Sequence, residues 1–273
     1  MILKGNAISV VGCGWLGLPV CEKAIEYGVY VVGTTTRSDN IVELNKLGIE
    51  TYVLSLPFDE INSAIVEVDY LLINIPPGRR NPDVLKNYEK AISSLLTKAK
   101  RSEKLKKLIF ISSTSVYGPK RGHITEQTIA LPETESGKAI LNAEQLIVKS
   151  GIPYVILRFG GLAGPNRHPG KFLAGKTLPT SGKDPINYLH LSDAIGVIMH
   201  MIKHQLLNEI YNVVSPIHPS KEDFYAKMAR SINLDPPVFV SSSEGNQREI
   251  SIDKLLKETD FAFEYPDPMK YMY

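Results

Sequence analysis

Four consecutive hydroxyl side chains, Ser112, Ser113, Thr114 and Ser115, close the apolar run at 108–111 and lead into Val116-Tyr117-Gly118. Nothing in 108–111 alternates with polar residues, so the run reads as a strand buried on both faces. Hydroxyls at the end of such a strand either stop it or hold a reacting oxygen. The second role requires a nearby group that gives or takes a proton.

A second chemical feature is the loop Gly12-Cys13-Gly14-Trp15-Leu16-Gly17, which follows an apolar strand at 7–11 and opens a helical pattern at 16–27. Gly12 permits a tight turn, Gly14 lets the backbone approach a pyrophosphate, and Gly17 lets the helix pack closely on the sheet. The helix N-terminus faces phosphates with N–H groups and a favourable dipole. A glycine turn without a ligand is the alternative, and the strand–loop–helix–strand context weighs against it.

The next strand, at 30–33, ends in Thr34, Thr35, Thr36, Arg37 and Ser38. A carboxylate there would bind the ribose 2′-hydroxyl of NAD. Arg37 with Thr36 beside it suits a 2′-phosphate instead, so NADP is expected over NAD; a solvated loop arginine is the competing reading. After the strand at 70–74, Ile75, Pro76 and Pro77 form a loop that the prolines hold extended, fit to lie along a dinucleotide. Arg79 and Arg80 either meet an anionic group or sit in a solvated turn.

These residues need a scaffold. The chain has 273 residues, 43% of them hydrophobic and 22% charged, with a net charge of +2. That composition describes a globular protein and gives no argument for nucleic acid or membrane partners. The N-terminal apolar run is too short for a signal peptide, so a cytoplasmic protein is expected. Cys13 and Cys21 are the only cysteines, and their eight-residue spacing indicates neither a metal site nor a disulfide. Apolar strands at 7–11, 30–33, 51–54, 70–74, 108–111 and 154–159 alternate with helical patterns at 16–27, 41–47, 61–66, 84–100 and 137–149. This rhythm predicts an α/β fold, a Rossmann-type doubly wound parallel sheet, with a small C-terminal substrate lobe.

From 160 to 185 six glycines and four prolines break the rhythm. A strand at 186–189, a helix at 192–203 and a strand at 210–213 are expected to return to the sheet. The expected organisation is therefore a nucleotide-binding domain over 1–160 with 186–214, and a lobe made of 161–185 and 215–273. The lobe carries a helix near 221–232 and strands near 238–240 and 249–251.

With the segments VVGCGWLG at 10–17, ISSTSVYG at 111–118, LNAEQLI at 141–147, ILRFGGLAGP at 156–165 and INYLHLSDA at 186–194, the chain resembles the extended short-chain dehydrogenases/reductases of the NAD(P)-dependent epimerase/dehydratase type. The resemblance implies that Ser113 hydrogen-bonds the substrate oxygen, that Phe159 contributes to the cofactor site, and that copies pair through the helices flanking the fifth strand. In that family the base is a tyrosine with a lysine four residues later, whose charge lowers the phenol pKa. Registered on LNAE, those positions are Ser136 and Ile140, so both are missing. Lys138 does not substitute, since two residues turn a helix by roughly 200°. Thr134 or Ser136 caps the helix instead. Thr114 and Ser115 stand where sugar dehydratases carry an acidic pair, which argues against dehydration by that route. The chain is thus identified with an atypical branch: an NADP(H)-binding oxidoreductase or epimerase-like protein for a small polar carbonyl or hydroxyl substrate such as a nucleotide sugar. A non-catalytic NADPH-binding sensor is the alternative.

The remaining candidates weigh less. His190 is read as a structural hydrogen bonder, and His200 and His204, spaced i, i+4, as exposed helix residues without a third metal ligand, so no metal is expected. Arg158 and Arg167 are candidates for an anionic substrate. Tyr117 belongs to the structural turn.

Overall fold

The computed structural model describes residues 4–78, 83–204, 206–241, 245, 247–271 and 273. In chain order the elements run β1 (Ala7–Val11), α1 (Gly17–Glu26), β2 (Tyr30–Thr35), α2 (Ile41–Lys46), β3 (Ile49–Val53), β4 (Tyr70–Ile73), α3 (Val84–Ala99) and β5 (Lys107–Ser113). Next come β6 (His123–Ile124), α4 (Glu135–Val148), β7 (Tyr154–Phe159), β8 (Gly161–Ala163), α5 (Gly170–Leu173) and β9 (Thr177–Ser181). The last are β10 (Tyr188–His190), α6 (Leu191–Lys203), β11 (Glu209–Val213), α7 (Lys221–Arg230), β12 (Val238–Ser241), β13 (Glu249–Ile250) and α8 (Asp253–Glu258). The chain divides into two compact units. The first is Met1–Val116, Leu131–Leu157 and Ile195–Ile210; the second is Tyr117–Ala130, Arg158–Ala194 and Tyr211–Tyr273. No helix among the described residues is long and apolar enough to cross a membrane.

Seven strands form one parallel sheet in the order β11-β7-β5-β4-β1-β2-β3. The chain starts at β1, winds outward through β2 to β3, then returns to β4 on the other side of β1 and winds outward again. The direction of winding therefore reverses between β1 and β4, and the loops that follow these two strands leave the sheet side by side. In open sheets of this kind that crevice is where ligands bind. The helix expected at 61–66 is only a 3₁₀ turn, Ser63–Ile65, set by Asn62, whose side chain accepts from the Ala64 amide.

The first unit's core explains why β5 has no alternation. Lys107, Leu108, Ile109 and Phe110 are all buried. Ala139, Ala143 and Ile147 of α4 fall at four-residue spacing and bury one stripe in the cluster that also holds Leu108 and Phe110. Tyr88, Ile92, Leu95, Leu96 and Ala99 do the same for α3.

In the second unit, three two-stranded parallel sheets pair β8 with β10, β9 with β12 and β6 with β13. The strand expected at 186–189 thus forms at Tyr188–His190 and does not return to the large sheet. Asn187 diverts it: its carbonyl accepts from the Gly161 amide at 2.8 Å, and its side-chain oxygen accepts from the Ile250 amide at 2.8 Å. Of the expected returning segments, α6 and β11 are the ones that carry the chain back. Ser220 caps α7 by accepting from the Asp223 amide at 3.1 Å, and Phe224 and Met228 bury against Ile186.

The strand that carries the hydroxyl run begins with a buried lysine. Lys107 Nζ donates to the carbonyls of Met201 at 2.7 Å and His204 at 2.5 Å, meeting the exposed ends of α6's backbone ladder. Burial lowers its pKa to about 8. The unfolded chain, with an ordinary lysine near about 10.4, therefore binds this proton more tightly than the folded one between those values, and the lysine's contribution to stability rises with pH across that window. Lys107→Ala should cost about 1.5–3 kcal/mol in urea unfolding at pH 7, and its deficit against the unmodified protein should widen from pH 8 to 10. A deficit that stays flat with pH would mean the ammonium is not destabilised by burial.

Candidate functional site

The glycine loop is clamped from two sides. Gly12 has φ +106°, and a Cβ on it would stand 2.9 Å from the Asn74 carbonyl oxygen, so only glycine turns the chain here. Its N–H donates to Thr34 Oγ1 at 3.0 Å, the Cys13 N–H donates to the Thr34 carbonyl at 2.9 Å, and its own carbonyl accepts from Asn74 Nδ2 at 3.2 Å. The ends of β2 and β4 thus hold the turn after β1. A Cβ on Gly17 would lie 2.0 Å from the Gly12 carbonyl oxygen, so a bare Cα is what allows α1 to start so close to the turn. Gly14 is exposed, and nothing stands within 4 Å of where its Cβ would be. The first turn of α1 has no side-chain cap and no acidic residue. A phosphate arriving here meets a positive helix end, a bare Cα and no opposing carboxylate in that turn, so the residues fit a dinucleotide. Trp15 is half-buried and Leu16 buried.

At the end of β2, Thr35 Oγ1 accepts from the Arg37 amide at 3.2 Å and turns the chain; Thr36 and Arg37 are exposed. A carboxylate stands closer than the run at 34–38 suggests, since Asp39 pairs with Arg37 at 4.0 Å with side-chain exposures of 83% and 70%. So open a pair is weak and leaves the guanidinium available. After β4, the buried Tyr88 donates its hydroxyl to the Ile75 carbonyl at 2.9 Å and fixes the loop, with Pro76 exposed and Pro77 half-buried. Arg79 and Arg80 lie outside the described residues. Phe159 is buried at the end of β7, in the second unit.

The hydroxyl run divides its labour. Ser112 is buried and donates to Oε1 of Glu144, which is also buried. Ser113, on the opposite face of the strand, is half-buried and accepts from the Ser115 amide at 3.1 Å, a contact that uses a lone pair and leaves the hydroxyl proton to donate. Thr114 and Ser115 belong to the 3₁₀ turn Thr114–Tyr117. Thr134 caps α4, accepting from the Gly137 amide at 3.1 Å. Gly137 brings the helix start close to this turn, its Cβ direction lying 3.4 Å from the Ser115 carbonyl oxygen.

On α4, Ser136 sits in the first turn with Oγ 3.4 Å from Thr134 Oγ1, and Ile140 packs against the apolar cluster. The helix contains no tyrosine, and its one lysine, Lys138, is exposed and pairs with Glu135 at 2.7 Å. Tyr117 is fully buried in the second unit, donating to Asn212 Oδ1 at 2.7 Å and accepting from Arg158 Nη1 at 2.9 Å. Burial pushes its phenol up despite the guanidinium. Arg158 thus serves a buried tyrosine, whereas Arg167 is exposed. His190 Nδ1 accepts from the Ser192 amide at 3.2 Å, with its ring 4.0 Å from that of Tyr265. His200 and His204 are half-buried, with rings stacked at 3.9 Å; the i, i+4 spacing puts them face to face instead of out in solvent.

Three residues named or spanned by the motifs have supporting roles that the motif reading did not assign: Thr34, Asn74 and Glu144. Glu144 had a signal, being a carboxylate on the apolar stripe of Ala143 and Ile147. Both cysteines are free, and the loop folds back on α1 to bring Cys13 Sγ to 3.6 Å from Cys21 Sγ, a proximity that the linear spacing does not show. Thr34→Val should leave the Gly12 N–H without its acceptor, costing about 1–3 kcal/mol in urea unfolding and weakening nucleotide binding. Thr34→Ser should restore both.

Residues 12–186 match a family model described as NAD(P)H-binding. The chain is 35% identical over 270 residues to Protein YeeZ of Escherichia coli (strain K12), covering 96% of this chain and 97% of that protein. A short-chain dehydrogenase/reductase superfamily protein from Agrobacterium tumefaciens with bound NAD superposes with a TM-score of 0.80 at 19% identity, over 97% of this chain and 94% of the other. UDP-glucuronic acid 4-epimerase from Bacillus cereus in complex with NAD gives 0.78 at 22% identity, over 92% and 91%. At these identities the two structures establish a shared fold.

Proposed function

The chain belongs to the NAD(P)H-binding family, and on that premise we propose that it is an NADP(H)-dependent oxidoreductase or epimerase-like enzyme of the extended short-chain dehydrogenase/reductase type, acting on a nucleotide sugar or another small polar carbonyl or alcohol. The observation that carries this reading is the clamped turn at Gly12, open at Gly14, one strand away from β5, whose end presents Ser113. Neighbouring strands are about 4.8 Å apart, so Ser113 ends a strand roughly 10 Å from the glycine loop's strand, within the span of one dinucleotide.

A bound nicotinamide dinucleotide would give or take a hydride at the substrate carbon. The chain's own residues do the rest. The glycine loop and the N-terminus of α1 hold the pyrophosphate. Arg37, with Thr36 beside it, meets the 2′-phosphate by exchanging its weak pair with Asp39 for a charge-assisted one. The prolines at 76 and 77 keep the loop after β4 extended along the dinucleotide. Ser113 donates to the substrate oxygen and orients it. Ser136 and Ile140 do not reproduce the tyrosine and lysine pair, so the proton comes from water or from another group. The match in fold to a UDP-glucuronic acid 4-epimerase supports the nucleotide-sugar class.

A second reading is a non-catalytic NADPH sensor, favoured by Ile140 packed against the apolar cluster and Lys138 paired outward with Glu135. Turnover on a panel of UDP-sugars and small carbonyls separates the two.

For the cofactor, NADPH should bind more tightly than NADH, and Arg37→Ala should erase a preference of about 1.5–3 kcal/mol. Equal affinities in the unmodified protein would refute the 2′-phosphate role. For the chemistry, Ser113→Ala should lower kcat by about 10²-fold with little change in NADPH affinity, and the pH–rate profile should lack a lysine-coupled phenol titration. A rate indifferent to this change would reduce the hydroxyl to a turn-maker.

A further inference from the structure

Cys13 and Cys21 are the only cysteines in the chain, and the fold sets their sulfurs 3.6 Å apart. Cys13 lies between the two glycines of the nucleotide loop and is half-buried; Cys21, in the second turn of α1, is completely buried. The Cys13 thiol occupies space that Gly33 leaves vacant, since a Cβ on Gly33 would come within 2.6 Å of Cys13 Sγ. Three parts of the sequence therefore cooperate to seat one thiol against the other: the loop, the first helix and a bare position on β2.

We propose that Cys13 and Cys21 are a reversible oxidation site whose disulfide distorts the glycine loop and weakens nucleotide binding. The proposal rests on the NAD(P)H-binding reading of that loop. The chemistry assigns an order to the two sulfurs. The contact with Cys21 lowers the pKa of Cys13, while that contact and burial raise that of Cys21, so the accessible Cys13 is the thiol poised to react and the buried Cys21 the one that resolves. Cys13, the more accessible of the two, attacks a hydroperoxide; the O–O bond breaks, and Cys13 becomes a sulfenic acid with release of water or an alcohol. The Cys21 sulfur then attacks the Cys13 sulfur, the S–O bond breaks, and the departing hydroxide takes the Cys21 proton to leave as water. Two thiols are oxidised by two electrons and one peroxide is reduced; an external dithiol reverses the change.

A disulfide is about 2.05 Å long, so the sulfurs must close by roughly 1.5 Å. The buried helix turn at Cys21 resists that movement more than the loop does. Cys13 therefore moves, straining its backbone N–H bond to the Thr34 carbonyl and with it the neighbouring turn at Gly12. Coupling is reciprocal, so a nucleotide that holds the loop in its reduced geometry also slows oxidation.

Trp15, two residues from Cys13, is the only tryptophan and reports on the loop without any ligand. The experiment treats the full-length protein with hydrogen peroxide and follows three signals: intact mass, Trp15 emission, and NADPH affinity by titration. The expected result is a loss of two hydrogen masses, a change in Trp15 emission and NADPH binding weaker by about tenfold or more, all reversed by dithiothreitol. Cys21→Ala should bind NADPH like the reduced protein and show neither the mass loss nor the reversible emission change. Added oxygen atoms on Cys13 without a disulfide would overturn the proposal, as would a disulfide that leaves Trp15 emission unchanged. A reduced protein that fails to bind NADPH would instead overturn the nucleotide reading, while mass and emission would still decide the disulfide.

Discussion

Everything at the site hangs on the backbone turn at Gly12. The chain must leave β1 with a positive φ, beneath a carbonyl of Asn74 that leaves no room for a side chain, and both polar groups of Gly12 must still be satisfied. β2 supplies the acceptor through Thr34 and β4 supplies the donor through Asn74. The sheet order makes this achievable, because β1 lies between β2 and β4. The loop's shape is therefore set by protein–protein hydrogen bonds, and a ligand arriving there finds its geometry already made; the ordering entropy is spent in folding instead of binding.

Such a turn is visible in sequence only halfway. The six residues from Gly12 to Gly17 are local, as are the apolar runs of β1, β4 and β5, so their pattern shows directly in the chain. Their partners are not local. Thr34 is 22 residues from Gly12, Asn74 is 62, and Glu144 is 32 from Ser112. Each is an ordinary polar residue whose role exists only once strands are side by side. The same limit explains the strand at Tyr188–His190: three residues carry no periodicity that distinguishes one sheet from another, and the tie through Asn187 decided the matter. It also explains the cysteines, whose linear spacing says nothing about a loop that doubles back.

The hydroxyl run shows how one stretch can answer two demands. Alternation along a strand sends Ser112 and Ser113 to opposite faces. Ser112 is drawn inward to a buried carboxylate, where an unpaired hydroxyl or carboxyl would each be costly. Ser113 is turned outward, and its lone pair starts the 3₁₀ turn. The same side chain that starts the turn keeps its hydroxyl proton free of that contact, so strand termination and the proposed role of Ser113 draw on one geometry.

That division also settles what the buried Glu144 is for. It bonds Ser112, whose side chain points to the face of β5 opposite that of Ser113, so it does not serve the hydroxyl proposed to meet the substrate. Its work is to brace α4 against β5, alongside the Thr134 cap and the close approach of Gly137 to the Ser115 carbonyl. None of these three contacts involves position 136 or 140. The residues at those positions are a serine in the first turn and a partly buried isoleucine packed against the apolar cluster. The position of α4 is thus set independently of the residues that stand at 136 and 140.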